Sequence, residues 1–381
     1  MAAPPHPDDE GRRKLSRYTL LRHLGSGRFA EVGAYRADDT GAAVAIKKVL
    51  RESHAQGVSL GAVKELQVLQ ELRGHPNLLA LLDVFTFGDR VHLVLELCEH
   101  DLAALALDTR TPLPEAAVKG IMQQLLRGLA HMHAARFMHR DIKPENVLVA
   151  AGGVCKLADF GLAAAIDGGG GGAPRALHPG VVTLFYRAPE LLLRAATHGP
   201  AVDLWSVGCV LAELLLRQPL FPCEPRARAE EEGAQLAAIA RLLGAPVDPA
   251  SDAQAARRAL AAAGLRQGDL DAMLAPGGSG RARGLAAPLP LWPGCAALPG
   301  MPTLPAEGAP GAPSPQPWRA MHAGLAGASS AAVDLLSRLV VWDPLLRLTA
   351  EEALAHAWFT SPPAPAPPSE LPRAFAAPPL A

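Results

Sequence analysis

Two short segments concentrate the residue types that phosphoryl transfer requires. MHRDIKPENVLV, residues 138–149, carries Asp141, Lys143 and Asn146, and KLADFGLA, residues 156–163, carries Asp159. A carboxylate can orient an attacking hydroxyl, a cation can stabilise a transferred phosphate, and amide and carboxylate oxygens are suitable ligands for Mg²⁺. The two segments therefore indicate chemistry on a nucleotide phosphate.

Two features nearer the N-terminus could hold such a nucleotide. The run LGSGRFAEV, residues 24–32, places two glycines between predicted strands, so that backbone amides could approach a phosphate. A glycine-bearing hairpin without a ligand remains the alternative, and no GxxxxGK[ST] run supports a P-loop. Lys47 lies in an apolar strand, where its ammonium needs an anionic partner such as Glu65, unless it reaches solvent along the face of the sheet.

The elements that must position these residues differ between the two halves of the chain. Tyr18 to Leu97 shows alternating, β-branched runs and is predicted to form strands. The exception is 60–73, LGAVKELQVLQELR, where an apolar residue recurs at helical spacing and predicts one amphipathic helix, with Val63, Leu66, Leu69 and Leu72 on its buried face. Beyond Asp101 the periodicity is helical. An α+β fold is expected, with a small β-rich lobe before a larger α-helical one.

Composition narrows the class of protein. The 381 residues carry 36 basic and 37 acidic side chains, which argues against nucleic acid or a membrane surface as the main partner. The five cysteines have no metal-site spacing, and no signal peptide or 18-residue apolar run is present, so an intracellular location, nuclear and/or cytoplasmic, is expected. Residues 1–17 and the Pro/Ala-rich stretch 360–381 are predicted to be disordered, and 225–317 to be an Ala/Gly/Pro-rich insertion with flexible connectors.

The motifs in this order resemble those of a eukaryotic Ser/Thr protein kinase, and within that superfamily the cyclin-dependent kinase branch. The resemblance covers residues 18–359 and is carried by the runs YTLLRHLGSGRFAEV, AVAIKKV, HRDIKPENVL, DFG, VVTLFYRAPELLL, AVDLWSVGCVLAELLLRQPLFP and WDPLLRLTAEEALAHAWF. Within that branch, the sequence resembles the CDK-activating kinases and the cell-cycle-related kinases. The resemblance implies a bilobal kinase fold, with an N-lobe of 18–96, one regulatory helix, and a C-lobe of 97–359.

The resemblance also implies ATP and Mg²⁺ as cofactors and assigns a role to individual residues. Asp141 is the implied catalytic base, Lys143 lies beside the γ-phosphate, Thr183 contacts both, and Asn146 and Asp159 bind the metal. Asp203 and Arg347 are implied internal supports of the C-lobe, the latter paired with Glu190. The implied nucleotide-binding residues are Leu24, Gly25, Ser26, Gly27, Val32, Ala45, Lys47, Glu65, Glu96, Cys98 and Leu148.

The segment between DFG and APE departs from the family pattern. His178 stands where the family has its activating threonine, and Ala164 stands where a basic residue usually holds the phosphate. Five glycines, 168–172, predict a mobile loop. We therefore expect activation by a cyclin or cyclin-like subunit rather than by loop phosphorylation, with a protein as the substrate. A kinase-fold scaffold with little turnover is the alternative; a mitogen-activated-type kinase lacks support because TxY is missing.

Overall fold

The computed structural model describes residues 7–27, 30–49, 51–53, 57–107, 113–166, 184–222, 228–252, 254, 292–301 and 323–373. A five-stranded antiparallel sheet and one long helix form the N-lobe, and the C-lobe is mainly helical. The helices are α1 Pro7–Leu15, α2 Leu60–Glu71, α3 Leu102–Leu107, α4 Glu115–Ala134, α5 Pro189–Leu192, α6 Ala201–Leu216, α7 Arg228–Leu243, α8 Ser330–Leu339 and α9 Ala350–Leu354. The strands are β1 Tyr18–Ser26, β2 Ala30–Ala37, β3 Ala43–Val49, β4 Arg51–Ser53, β5 Gly57–Val58, β6 Leu81–Phe87, β7 Arg90–Glu96, β8 His100–Asp101, β9 Phe137–Met138, β10 Val147–Ala150, β11 Val154–Leu157 and β12 Ala164–Ala165.

The N-lobe sheet has the order β1-β2-β3-β7-β6, which brings the glycine-bearing hairpin beside Lys47. Val32 of β2 pairs with Lys47 of β3, and Ala45 of β3 pairs with Leu95 of β7. Since side chains two residues apart along a strand share a face, Ala45 and Lys47 lie on the same face of the sheet. The strand pairing therefore gives the sheet one continuous face that runs from the hairpin to the end of β7.

Helix α2 packs against that sheet, and its buried face is the predicted one except at one position. It begins after Ser59, whose Oγ accepts a hydrogen bond from the Ala62 amide at 3.2 Å. Val63 was expected to face the core, but it is 51% exposed, whereas Glu65 is 4% exposed. The other three positions of the predicted face are buried or partly buried. Glu65 is buried beside them because a charged partner on β3 compensates for its desolvation.

The C-lobe is built around α4 and α6. Helix α6 is buried almost along its whole length, and it joins α4, α8 and the loop between β9 and β10 in one hydrophobic core. Strands β10 and β11 form a hairpin, with Val147 opposite Leu157, at the edge of this core next to the N-lobe. The helical core thus supports the segments that carry Asn146 and Asp159.

The predicted disorder of residues 1–17 is wrong for residues 7–15, which form α1. Gly11 of this helix is buried, and a Cβ atom there would lie 1.9 Å from the Thr86 carbonyl oxygen, so the helix backbone approaches β6 closely. Asp8 accepts from the Gly88 amide at 3.1 Å, and Lys14 pairs with Asp83 at 3.3 Å. These contacts are tertiary and leave no periodic apolar signal in the sequence.

The predicted disorder of 360–381 is likewise wrong for residues 360–373, which follow the surface of the C-lobe. Lys119, fully buried on α4, donates to the Ser361 and Pro363 carbonyl oxygens at 2.7 and 2.8 Å. The Ala366 amide donates to the Ala116 carbonyl oxygen at 2.8 Å, and Leu371 has no exposed surface. A Pro/Ala-rich segment is therefore held mainly through its backbone, which composition does not reveal.

Within the expected insertion at 225–317, residues 228–243 are the continuous helix α7, which belongs to the main core. Leu236, Ile239 and Ala240 on this helix are buried in the C-lobe cluster. The composition of this stretch predicted an insertion with flexible connectors and not a helix of the core. Residues 255–291 and 302–322 lie outside the described part of the chain. Among described residues, no helix has both the length and the apolar character needed to cross a membrane.

Candidate active site

Lys47, Glu65 and Asp159 form a charged cluster at the junction of the two lobes. Lys47 Nζ donates to both carboxylate oxygens of Glu65, at 2.7 and 2.8 Å, and lies 3.7 Å from Asp159 Oδ1. Burial disfavours the ammonium, but the charges of Glu65 and Asp159 outweigh it, so the pKa of Lys47 is raised. The lysine is held as a cation beside Asp159, whose side chain is 53% exposed.

Asp141, Lys143 and Asn146 form a second cluster on the loop that precedes β10. Lys143 Nζ lies 3.2 Å from Asp141 Oδ2, and Asn146 Nδ2 donates to the same oxygen and to the Asp141 backbone carbonyl, both at 2.8 Å. Burial raises the pKa of Asp141, and the charge of Lys143 opposes that shift. The carboxylate has a fixed orientation and a cation beside it.

The two clusters are joined through the backbone. The Ala158 amide donates to the Asn146 carbonyl oxygen at 2.9 Å, which places Asp159 next to the loop that precedes β10. Asp159 has φ +61° and ψ +70°, a left-handed conformation that an aspartate adopts more readily than most residues. This turn ends strand β11 and directs the chain back toward α2, which contacts residues 160–162.

A buried network fixes the backbone of the loop that carries Asp141. Asp203, at the start of α6, accepts from the His139 and Arg140 amides at 2.8 and 2.7 Å and from His133 at 2.8 Å. His139 Nδ1 in turn accepts from the Asp141 amide at 3.2 Å, and its Nε2 contacts the Ala158 carbonyl oxygen at 3.0 Å. Asp203 is thus the internal support that the sequence resemblance implied.

His139 is a residue of this site that the sequence reasoning missed. It lies between Asp141 and the strand that precedes Asp159, and it touches both through backbone atoms. Backbone contacts of this kind have no partner side chain to find in the sequence. Only its position two residues before Asp141 gives a signal.

The expected nucleotide-binding residues line the surface between the hairpin and the C-lobe. Gly25 and Ser26 end β1, and the Gly27 amide donates to the Ala30 carbonyl oxygen at 2.8 Å, which closes the hairpin. Leu24 is 41% exposed, while Ala45 is 8% exposed under the sheet. Leu148 lies on β10, in the C-lobe.

Glu96 and Cys98 lie in the segment that joins the lobes. Glu96 accepts from the Ala80 amide at 2.7 Å and pairs with Lys156 at 2.8 Å, so its side chain fixes the end of β7. Burial, reinforced by the charge of Glu96, raises the pKa of the Cys98 thiol to about 12. The thiol is therefore neutral and not a nucleophile at neutral pH.

The donor set fits Mg²⁺ and ATP. A half-exposed carboxylate, Asp159, and a neighbouring amide, Asn146, are the oxygen ligands that Mg²⁺ takes from proteins when phosphates supply the rest. Lys47 provides a cation for phosphate oxygens on the same side. Thr183 and His178 lie outside the described residues.

The first part of the segment after DFG pairs with β9 and with the loop beside it. Ala164 pairs with Met138 and Ala165 with Phe137, and the Ile166 amide donates to the Arg136 carbonyl oxygen at 2.7 Å. Arg140, 9% exposed, donates from Nε to the Leu162 carbonyl oxygen at 2.8 Å. The Arg140 side chain, next to Asp141 in the sequence, thus contacts the segment itself.

The fold and this site define a protein kinase. The family description "Protein kinase domain" matches residues 18–359, so the chain belongs to that family. Its relatives place it among the cyclin-dependent Ser/Thr kinases: it is 35% identical to cyclin-dependent kinase D-1 of Oryza sativa subsp. indica over 98% of this chain and 74% of that protein.

Two further relatives and one solved structure agree. Cyclin-dependent kinase 7 of Xenopus laevis is 34% identical over 95% of this chain and 86% of that protein, and cyclin-dependent kinase 20 of Rattus norvegicus is 34% identical over 94% and 87%. A chain of the CAK complex from Chaetomium thermophilum bound to ATP-gamma-S superposes with a TM-score of 0.74 at 32% identity, covering 97% of this chain and 98% of that one. The chain is a Ser/Thr protein kinase of the cyclin-dependent type.

Proposed function

We propose that this kinase transfers the γ-phosphate of Mg-ATP to Ser or Thr hydroxyls of protein substrates, and that a cyclin-like partner subunit activates it instead of phosphorylation of its activation segment. The observation that carries the first part is the joint geometry of Lys47 with Glu65 and Asp159. This arrangement holds a cation beside a carboxylate that would bind the metal, as phosphoryl transfer requires.

The residues of the chain divide the chemistry between them. Asp141, oriented by Asn146 and the His139 network, accepts the proton of the substrate hydroxyl as it attacks. Lys143 stabilises charge on the transferred group, and Lys47 orients the phosphates of the nucleotide. Asn146 and Asp159 would hold Mg²⁺, which neutralises charge on the phosphate oxygens when bound.

Two observations support activation by a partner. The chain lacks both the acceptor residue and one basic ligand of the phosphate switch, with His178 and Ala164 in their places. Helix α2, which carries Glu65, exposes Leu60 and Val63 by 55% and 51%, an apolar face directed away from the core. Since the relatives are cyclin-dependent kinases and the similar solved chain comes from a CAK complex, a cyclin-like protein is the partner that we propose for this face. We propose that the kinase acts inside the cell, in the nucleus or the cytoplasm.

The first test is radiolabel transfer from ATP to protein by the purified chain, alone and with a co-purified partner. We expect transfer with the partner, and a loss of about 10²-fold or more in Asp141→Asn, because an amide cannot accept the hydroxyl proton. Absence of transfer under every condition would favour the scaffold alternative.

The activation mode has its own test. Mass spectrometry of the active complex should find no stoichiometric phosphate between residues 161 and 190. Full activity of the isolated chain, or a stoichiometric phosphate in that range, contradicts activation by a partner alone.

A further inference from the structure

We propose that Glu232 of α7 is a positioning residue for the protein substrate, acting through Arg187. This inference deepens the proposed function and rests on it. No motif pointed to Glu232 in the sequence, where it lies in the stretch expected to be an insertion. Its role follows from what α7 contacts.

Arg187 lies beside the catalytic aspartate. A small cavity is lined by Asp141 and Ile142 from the catalytic loop and by Tyr186, Arg187 and Ala188 from the end of the activation segment. Residues 186–188 thus form one wall of a cavity that Asp141 also lines. A displacement of this wall would move the atoms that border Asp141 and so alter the position of a substrate hydroxyl relative to it.

Helix α7 holds this wall through two polar side chains on one face. Glu232 Oε1 lies 3.3 Å from Arg187 Nη1, and its Oε2 lies 3.5 Å from Arg194 Nη2. Three residues later, Gln235, which has no exposed surface, donates from Nε2 to the Phe185 carbonyl oxygen at 3.4 Å. Because residues at i and i+3 share a helix face, both contacts fix the same segment, 185–194, to α7.

The two ion pairs of Glu232 differ in how much they contribute to holding the segment. The Arg194 side chain is 73% exposed, so solvent screens its pair and that pair contributes little. The Arg187 side chain is 8% exposed, so removal of the carboxylate leaves a poorly solvated cation without this counter-charge. The effect of Glu232 on the segment should therefore pass through Arg187.

Glu232→Gln tests the proposal, with Glu370→Gln, at an exposed carboxylate on the C-terminal segment, as the matched control. Steady-state kinetics would use a synthetic peptide with a Ser-Pro acceptor and the partner-bound kinase. We expect the KM for the peptide to rise about tenfold in Glu232→Gln with the KM for ATP unchanged, since small displacements of a positioning group cost one to two orders of magnitude. The control should match the parent in both constants.

A second readout does not depend on activity. Hydrogen–deuterium exchange of peptides covering residues 184–194 should be faster in Glu232→Gln than in the parent or Glu370→Gln, at an unchanged melting temperature. In an Arg187→Gln background, Glu232→Gln should add little to either readout, whereas in an Arg194→Gln background it should keep most of its effect.

The outcomes separate this proposal from the function on which it rests. Faster exchange without a change in the peptide KM overturns substrate positioning, and unchanged exchange overturns the contact itself. If the parent transfers no phosphate, the proposed function fails, and the exchange data still decide whether Glu232 fixes the segment.

Discussion

The buried pair Glu190–Arg347 shows how single residues stabilise the C-lobe. Arg347, 1% exposed, donates to the two oxygens of Glu190 at 2.6 and 2.7 Å, and also to the carbonyl oxygens of Val341, Ala201 and Trp342. Glu190→Gln keeps the side-chain size but leaves the guanidinium without its counter-charge. We expect the free energy of unfolding, measured in urea, to fall by about 3 kcal/mol.

The exposed Glu370→Gln serves as the control for that measurement and should stay within about 0.5 kcal/mol of the parent. A loss of the same size in both variants would show that charge, and not burial of the pair, determines the effect. This pair was implied by the sequence resemblance, whereas the pair of Glu232 with Arg187 was not. Glu190 belongs to a motif that was recognised in the sequence. Glu232 belongs to no such motif, and its partner Arg187 lies 45 residues away in the chain.

At the scale of elements, α1 depends on one close backbone approach. A Cβ at Gly11 would lie 1.9 Å from the Thr86 carbonyl oxygen, and a backbone atom cannot move aside as a side chain can. Gly11→Ala should therefore lower the free energy of unfolding of the N-lobe by about 1–2 kcal/mol, despite the better helix propensity of alanine. Thermal unfolding followed by circular dichroism measures this.

The matched control is Gly233→Ala on α7, where a Cβ would meet no atom within 4 Å. That variant should be neutral or more stable by up to about 1 kcal/mol, the propensity difference alone. Equal effects of the two substitutions would contradict a close contact between α1 and β6.

The elements show where sequence reasoning succeeded and why it failed. The β-rich run from Tyr18, the helix at 60–73 and the helical C-lobe were predictable because each buries a periodic apolar face. Helix α1 and residues 360–373 were not, because a buried glycine and the carbonyl oxygens held by Lys119 stabilise them. Composition describes side chains and gives no information on backbone contacts.

At the scale of the whole molecule, the described parts of the two lobes share one hydrophobic cluster and are also joined by charged contacts. Lys47 and Glu65 belong to the N-lobe, and Asp159 belongs to the C-lobe, so their cluster depends on the relative position of the lobes. The motif residues on each lobe were predictable from the sequence. The contact between the motif residues of the two lobes was predictable only from the family pattern. Lys47 and Asp159 lie 112 positions apart, and no spacing within the sequence predicts a contact between them.

Stability as a function of pH tests the other face of the N-lobe sheet. His92 on β7 is 2% exposed and stacks on Phe85 at 4.9 Å, and among the described residues its Nδ1 has no hydrogen-bond partner. Burial, and then the charge of Lys48, lower the pKa of His92 from 6.5. The folded state therefore binds this proton less readily than the unfolded state.

Because the folded pKa of His92 lies below the unfolded value, its contribution to stability is complete above pH 6.5 and declines as the pH falls below it. His92→Phe preserves the stacking and removes the titrating group. We expect the fall in melting temperature between pH 7.5 and pH 5.5 to be smaller in this variant than in the parent. His23→Gln, at an exposed position on β1, should retain the parent's pH dependence. An identical fall in His92→Phe and the parent would mean that protonation of His92 does not couple to unfolding.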